Sequence, residues 1–311
     1  MIKPERLKRG DEIRVIAPST SLAKMKPDVC ERSLQYLRAQ GFHVTFSENC
    51  RELDEFGSSS GASRVEDLHA AFADPKVKMI VSCTGGFNVN QILPHLDYEL
   101  IRKNPKILCG YSDITALLHA IYAKTGLVTY HGPHFSTWGH ENVNGYTRNA
   151  FWDCVMKDNP IVVTASADAR KYEVIQEGCC EGAAVGGNLC TLNLLQGTEF
   201  WPDMKDKILF LEDDNIMGEY FVREFDRNLQ SLLQVHGADR IRGIVFGRFD
   251  ESCGMNAKLM KNIIKNKVRP DIPVVFGVDF GHVLPMITFP IGGTVRLDAQ
   301  NEHVKLEIIN H

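Results

Sequence analysis

The chain has 311 residues, of which 44% are hydrophobic and 24% are charged, and its formal net charge is −4. This length suits two ordinary domains or one large α/β domain, and this composition lets the chain bury a large core without disulfides or metal ions. The negative charge argues against a nucleic-acid-binding role.

The N-terminal segment and the cysteines predict a cytoplasmic protein. The first ten residues are charged and lead directly into a strand-like run, unlike a secretory signal. No uncharged apolar run approaches the ~18 residues needed to cross a bilayer, so we expect no membrane contact. The nine cysteines are odd in number and contain no C-x-x-C pair, which favours reduced thiols over disulfides or a zinc site.

Strand and helix patterns alternate through the first half of the chain. Short apolar runs that end at glycine, proline or serine are typical of buried strands, and apolar residues three and four apart are typical of helices. Strands separated by helices predict an α/β fold with a doubly wound, mostly parallel sheet. The predicted elements are strands 13–17, 42–46, 77–83 and 106–109 and helices 29–41, 64–73 and 114–122.

The alternation breaks at residues 161–182, where a strand-like run at 161–164 is followed by a polar stretch. We interpret 161–182 as a connection between an N-terminal domain, 1–160, and a C-terminal domain, 183–311. In the second domain, strands and helices again follow one another. Its predicted elements are helices 189–196 and 219–236 and strands 207–211, 243–246, 274–276, 294–297 and 304–308.

Three polar residues each follow directly after an apolar strand-like run. They are Ser112, Glu212 and His282. A hydroxyl nucleophile needs a base to take its proton, and the base needs a carboxylate to fix its tautomer. Because functional sites of parallel sheets lie at the carboxyl ends of strands, these three residues could meet in one cleft as nucleophile, acid and base.

The turn at Ser112 resembles the G-x-S-x-G elbow of serine hydrolases, with Ile114 in place of the last glycine. A serine at the start of a helix lies where free N–H groups favour developing negative charge. The amide of Asp113 is the natural first oxyanion donor, and the turn at Gly85 and Gly86 could supply a second.

Other interpretations of the same residues stay open at this point. Ser112 with Asp113 could be a helix N-cap. The run that begins at Glu212 has two further carboxylates, which could be a metal cluster or a solvated turn. His131 and His134 could line the substrate site or be structural. The sequence lacks P-loop and G-x-G-x-x-G motifs, so we expect no nucleotide cofactor and no metal.

Several motifs in order resemble the LD-carboxypeptidase family of serine peptidases, from the opening 7–18 nearly to the C-terminus. They are VSCTGG (81–86), LPHLDY (93–98), NPK (104–106), GYSDITAL (110–117), GGNL (186–189), LFLED (209–213), DFGH (279–282) and PIG (290–292). The resemblance implies an N-terminal flavodoxin-like domain that carries the serine, and a smaller, β-rich, swivelling C-terminal domain. It also implies Ser112 as nucleophile, Glu212 as acid and His282 as base, the oxyanion hole named above, and a homodimer.

The family contains two branches, and both act on amide bonds. One removes the terminal D-alanine of cell-wall tetrapeptides. The other resembles the microcin C immunity peptidase, which cleaves aminoacyl-nucleotide conjugates. The segments ILPHLDY (92–98), AIYAKTGL (120–127) and GTEFWPD (197–203) are more similar to the immunity branch. That branch usually has a longer, tryptophan-containing loop before the GGNL motif, whereas residues 165–181 here contain Tyr172 as their only aromatic residue.

The leading hypothesis is therefore a cytoplasmic serine carboxypeptidase of the immunity branch, acting on small aminoacyl-nucleotide substrates. Release of terminal D-alanine from muropeptides is the alternative within the family. A protein that binds a ligand in the cleft without catalysis is the alternative from another class. An ester hydrolase of the α/β-hydrolase fold would need the complete elbow, which Ile114 denies.

Overall fold

A computed structural model describes residues 1–167 and 171–311, which form two sheets flanked by helices. The strands are β1 (Glu12–Ile16), β2 (His43–Phe46), β3 (Val77–Ser82), β4 (Ile107–Gly110), β5 (Thr129–His131), β6 (Ile161–Val163), β7 (Glu173–Gln176), β8 (Gly178–Asn188), β9 (Lys207–Glu212), β10 (Gly243–Gly247), β11 (Val274–Val278), β12 (Phe289–Ile291), β13 (Thr294–Gln300) and β14 (His303–Asn310). The helices are α1 (Pro27–Ala39), α2 (Gly61–Ala73), α3 (Tyr98–Lys103), α4 (Ile114–Thr125), α5 (Gly145–Met156), α6 (Leu189–Asn193), α7 (Phe221–Leu233) and α8 (Ala257–Ile264).

The first sheet has six strands in the order β2-β1-β3-β4-β5-β12. Its first five strands are parallel, and β12 pairs antiparallel with β5. The order 2-1-3-4-5 is that of flavodoxin-like doubly wound sheets, so the fold expected from the sequence is confirmed. The carboxyl ends of β3 and β4 lie side by side, which brings the loops that follow them to the same edge.

The second sheet has eight strands in the order β6-β14-β13-β8-β9-β10-β11-β7. Strands β8 to β11 are parallel, and the outer strands pair antiparallel. The predicted connection, 161–182, therefore carries β6, β7 and the start of β8 within this sheet. Strands β6 and β7 lie at its two edges and are largely half-exposed or exposed. Strand β6 corresponds to the strand-like run at 161–164, whereas β7 has polar residues at both ends and no apolar run of the length found in central strands. The domain limits themselves stay a prediction.

Helix α4 joins the two sheets. It is apolar on most of its circumference, nine of its twelve residues are buried, and Gly126 ends it in a left-handed conformation. Nε2 of His119 accepts a hydrogen bond of 2.9 Å from the amide of Gly186 in β8. Nδ1 of the same ring lies 2.8 Å from the carbonyl of Thr115 and carries the proton. The helix that begins beside Ser112 is thus hydrogen-bonded to the second sheet.

Several elements have no counterpart in the sequence prediction: α3, α5, β5, β7, β8 and β12. Strands β5, β7 and β12 have three or four residues and helix α3 has six, which is too short for a periodic pattern to stand out. Strand β8 has eleven residues, but four of them are glycines, which are not typical of a strand interior. Helix α5 is longer, but its apolar residues are scattered around its circumference rather than confined to one stripe.

Within residues 1–167 and 171–311, none of the helices combines the length and the apolar composition that crossing a lipid bilayer requires.

Candidate active site

Ser112 lies in a tight turn between β4 and α4. Its φ of 58° is in the left-handed region, which is uncommon for a residue other than glycine and is found in nucleophile elbows. A Cβ at Gly110 would lie 2.9 Å from Cγ2 of Ile114. The absence of a side chain at Gly110 therefore makes room for the isoleucine that occupies the position of the elbow's last glycine.

Neither Ser112 nor Asp113 serves as a side-chain cap of α4. Asp113 is at the N-cap position but makes no side-chain capping bond. Its buried carboxylate instead accepts hydrogen bonds from Oγ of Ser19, at 2.5 Å, and from the amide of Val89, at 2.9 Å. Burial raises the pKa of this carboxyl, although these hydrogen bonds lower it in part. The N-cap interpretation of the turn is wrong, because the carboxylate ties the loops after β1 and β3 together.

The structure brings Ser112, His282 and Glu212 into one hydrogen-bonded chain. Nε2 of His282 is 3.0 Å from Oγ of Ser112. Nδ1 of the same ring is 2.7 Å from Oε2 of Glu212. The carboxylate is fully buried, and 22% of the histidine side chain is exposed. A buried acceptor at Nδ1 places the proton there and leaves Nε2 free to accept the serine proton.

The positions of Glu212 and His282 follow from the second sheet. Glu212 is the last residue of β9. His282 comes after Gly281, whose φ is +127° and whose Cβ would lie 2.5 Å from the carbonyl oxygen of Arg248. Asp279 is buried and forms an ion pair of 3.1 Å with Arg248. Its other oxygen accepts hydrogen bonds from the amide of Ser166 and the hydroxyl of Tyr172. These contacts fix the loop that carries the histidine.

Acidic neighbours make His282 a strong base. Burial lowers the pKa of the imidazole, but the charge and hydrogen bond of Glu212, with Asp214 and Asp213 behind it, outweigh burial and raise the pKa to about 9. Asp213 is itself buried beside two carboxylates, and its pKa is raised to about 8. It accepts hydrogen bonds from the side chain of Asn188 and the amide of Cys190. Asp214 accepts a hydrogen bond from the amide of Ile216, so the three consecutive acidic residues have separate partners.

Of the two glycines predicted for an oxyanion hole, Gly85 lies against Ser112 and Gly86 lies against the loop after β1. A Cβ at Gly85 would be 2.9 Å from Cβ and 3.0 Å from Oγ of Ser112. At Gly86, where φ is +152°, a Cβ would lie 2.2 Å from Oγ of Ser19. In the described part of the chain, the amides of Gly86 and Asp113 donate to no protein acceptor. Free N–H groups beside a nucleophile are suited to bind a developing oxyanion.

Histidines 131 and 134 are buried near this site, and their ring nitrogens have no partner among the described residues. Burial lowers the pKa of His131 to about 3 and that of His134 well below its usual value, so both rings are neutral. His134 stacks on Tyr111 with ring centroids 4.1 Å apart. The ring of Tyr111 in turn packs edge-on against His282 at 5.3 Å. Residues 1–167 and 171–311 contain no group of three or more acidic, histidine or cysteine side chains arranged to hold a metal ion.

A cleft of about 420 Å³ opens over Ser112. One wall comes from the loops of the first sheet and the other from the second. Most of the lining residues were not predicted as site residues, although nearly all of them lie within a few residues of a strand end or a glycine pair. The additional lining residues include Thr20, Phe87, Tyr111, Asn188, Thr191, Leu194, Asp214 and Ile216.

Two family models match this chain. The model of the LD-carboxypeptidase N-terminal domain matches residues 13–132, and that of the LD-carboxypeptidase C-terminal domain matches residues 181–297. The chain belongs to the LD-carboxypeptidase family. As a member of this peptidase family it is a hydrolase. The region that the first model matches contains Ser112, and the region that the second model matches contains Glu212 and His282.

Individual relatives of this LD-carboxypeptidase family member span both branches. The candidate carboxypeptidase YocD of Bacillus subtilis is 44% identical over 98% of this chain and 99% of its own length. The microcin C7 self-immunity protein MccF of Escherichia coli is 29% identical over 93% and 90%, respectively. The murein tetrapeptide carboxypeptidase of Pseudomonas aeruginosa is 28% identical over 92% and 93%.

Solved structures share the fold over the whole chain. An MccF-like protein from Bacillus anthracis has a TM-score of 0.97 and 44% identity, and all of both chains is covered. MccF in complex with aspartyl sulfamoyl adenosine has a TM-score of 0.89 and 26% identity, covering 100% of this chain and 99% of its own. MccF has also been solved with glutamyl sulfamoyl guanosine, with a TM-score of 0.87, 26% identity and coverage of 99% and 98%.

Proposed function

We propose that this LD-carboxypeptidase family member hydrolyses an amide bond through an acyl-enzyme on Ser112, with His282 as base and Glu212 as the acid that orients it. One observation carries the proposal. Ser112 Oγ, His282 Nε2, His282 Nδ1 and Glu212 Oε2 form one chain, with contacts of 3.0 and 2.7 Å. That order of groups is what a serine peptidase needs for proton transfer.

In the first half of the reaction, Oγ of Ser112 attacks the substrate carbonyl while Nε2 of His282 takes the hydroxyl proton. Glu212 stabilises the imidazolium that forms. The carbonyl oxygen becomes an oxyanion, which accepts hydrogen bonds from the amides of Asp113 and Gly86. Collapse of the intermediate breaks the C–N bond, and the leaving nitrogen takes the proton from His282. In the second half, water repeats these steps on the serine ester and releases the acid.

We propose aminoacyl-nucleotide conjugates as the substrate class. Two observations support this choice: the 44% identity and TM-score of 0.97 to an MccF-like protein, and the aminoacyl sulfamoyl nucleosides bound by MccF itself. Release of terminal D-alanine from murein tetrapeptides is the second candidate, favoured by the 28% identity to a murein tetrapeptide carboxypeptidase.

We also propose that the enzyme works in the cytoplasm as a homodimer. All nine cysteines are unpaired, as expected in a reducing compartment. The dimer is a property that the family resemblance implies. Analytical ultracentrifugation at micromolar concentration tests it, and a single species near the monomer mass of 34.9 kDa contradicts it.

The Ser112→Ala variant tests the catalytic role. We expect turnover to fall by several orders of magnitude, as on loss of other serine nucleophiles, while the thermal unfolding midpoint stays near that of the wild type. A fluorophosphonate probe should add to Ser112 in the wild type and to no residue in the variant, as read by peptide mass spectrometry. Near-normal activity of the variant rules the mechanism out, and absence of an adduct favours a cleft that binds without catalysis.

A side-by-side assay tests the substrate class. The purified enzyme is given aspartyl sulfamoyl adenosine and a murein tetrapeptide, and release of free aspartate or D-alanine is measured. We expect turnover of the nucleoside conjugate. Turnover of the tetrapeptide alone assigns the protein to the other branch. Turnover of neither, in protein that still labels at Ser112, rejects both substrate classes and keeps the mechanism.

A further inference from the structure

Three large apolar side chains lie exposed at the mouth of the cleft. Phe87 is 78% exposed, Ile216 is 61% exposed and Leu194 is 48% exposed, and all three line the cleft that contains Ser112. They come from three separate segments of the chain. Phe87 follows the Gly85–Gly86 turn, Leu194 follows α6, and Ile216 lies in the loop after β9. Exposed apolar side chains that gather around one cleft mark a binding surface.

The charges of the residues that line the cleft limit which chemical groups can bind there. None of the described residues that line it is a lysine or an arginine, and the one lining imidazole with a raised pKa, that of His282, is paired with Glu212 beside Ser112. Its carboxylates are Asp113, which is occupied by Ser19 and Val89, and Asp214 on the opposite wall. A carboxylate or phosphate group at the mouth would therefore meet apolar side chains and a negative charge. An uncharged group fits this environment better.

The side chains themselves favour a flat group. Phe87 offers an aromatic ring on the wall that belongs to the first sheet, and Leu194 and Ile216 offer aliphatic side chains on the wall that belongs to the second. Aromatic faces stack on nucleobases, and aliphatic side chains cover apolar ring surface without a directional requirement. A cleft of about 420 Å³ is within the size range of small-molecule sites.

We propose that Phe87, Leu194 and Ile216 form an apolar clamp that holds the uncharged base of the nucleoside leaving group. The inference rests on the proposed function, because it assigns a position to one part of the proposed substrate. Phe87 is the specificity-determining residue of the clamp. Phe87 directly follows the turn at Gly85 and Gly86, which we call the oxyanion turn. A base bound at Phe87 would therefore hold the leaving group next to Ser112.

A substrate pair and a residue pair test the clamp. The substrates are aspartyl sulfamoyl adenosine and the same aspartyl sulfamate on a ribose without the base. The variants are Phe87→Ala and its matched control Phe56→Ala, since Phe56 is also 78% exposed but does not line the cleft. The readout is the kcat/KM ratio for the substrate with the base to the substrate without it.

We expect Phe87→Ala to lower this ratio about tenfold, the size of effect seen when a base loses its stacking partner, and Phe87→Trp to keep or increase it. The control variant should leave the ratio at the wild-type value. An equal loss on both substrates in Phe87→Ala overturns the clamp and assigns Phe87 to support of the oxyanion turn. A wild-type ratio in Phe87→Ala overturns it outright. Either result leaves the proposed function standing, because the proposed substrate class fails only if the wild type cleaves neither nucleoside nor ribose conjugate.

Discussion

Replacement of Glu212 by glutamine removes the charge that sets the basicity of His282 and keeps the side chain's size. Burial alone lowers the pKa of the imidazole, whereas Glu212 and its acidic neighbours raise it from 6.5 to about 9. That rise corresponds to a preference for the protonated ring of about 3 kcal/mol. In Glu212→Gln, most of this preference is lost while burial remains. We therefore expect the pKa of His282 to fall towards or below 6.5.

The pH dependence of kcat/KM reports this change, because only the neutral imidazole can take the serine proton. In the wild type, the acidic limb should lie clearly above pH 6.5, and in Glu212→Gln it should move to lower pH. We also expect kcat at the plateau to fall by about 10²- to 10⁴-fold, since the imidazolium loses its counter-charge. Coincident acidic limbs in the two proteins would refute the reasoning.

The same pair predicts the pH dependence of stability. The folded-state pKa of His282 is raised above its unfolded value of about 6.5. The pair therefore stabilises the fold fully below pH 6.5, and this stabilisation is lost as the pH rises through about 9. Urea titrations should show a larger difference in unfolding free energy between wild type and Glu212→Gln at pH 6 than at pH 10. A difference that grows with pH contradicts the assignment.

Two further substitutions test how the site is assembled. At Gly187, φ is +121° and a Cβ would lie 2.8 Å from Oγ1 of Thr115. Gly187→Ala should therefore lower the unfolding free energy by about 2–4 kcal/mol and reduce kcat, and a urea titration with wild-type parameters contradicts this. Asp113→Ala removes the acceptor of Ser19 and of the Val89 amide, so we expect about 2–4 kcal/mol of lost stability together with slower turnover. Unchanged kcat in a stable Asp113→Ala protein would separate this carboxylate from the oxyanion turn.

Much of the fold could be predicted because the central strands carry their own signal. Strands β1, β3 and β4 are mainly buried and apolar, and a proline, serine or glycine stands at the end of each or within two residues after it. The edge strand β6 is strand-like but has only three residues, and the edge strand β7 lacks that signal, so residues 161–182 were interpreted as a connection. Edge strands gain their pairing from partners distant in sequence: β6 pairs with β14 and β7 with β11. Local patterns do not contain those partners.

The predicted loop 165–181 is only partly described, because residues 168–170 lie outside the described residues. Its one aromatic residue, Tyr172, is 8% exposed and donates its hydroxyl hydrogen bond to Asp279. Tyr172 is therefore hydrogen-bonded to the loop that carries His282, and it does not line the cleft. This role of Tyr172 was not predictable from local patterns, since Tyr172 and Asp279 are 107 positions apart.

The sequence by itself determined the chemical groups and their local settings: a serine in a strand-to-helix turn, a glutamate and a histidine after strands, and a glycine pair. Each depends on neighbours within a few residues, so each leaves a local pattern. Only the tertiary structure decided that Ser112 Oγ and His282 Nε2, 170 residues apart, lie 3.0 Å from each other. It also decided that Phe87 shares a cleft with Ile216, and that Asp113 anchors two loops instead of capping a helix. Those facts depend on how α4 packs between the sheets. Contacts between segments that are distant in the sequence leave no local pattern from which they could be predicted.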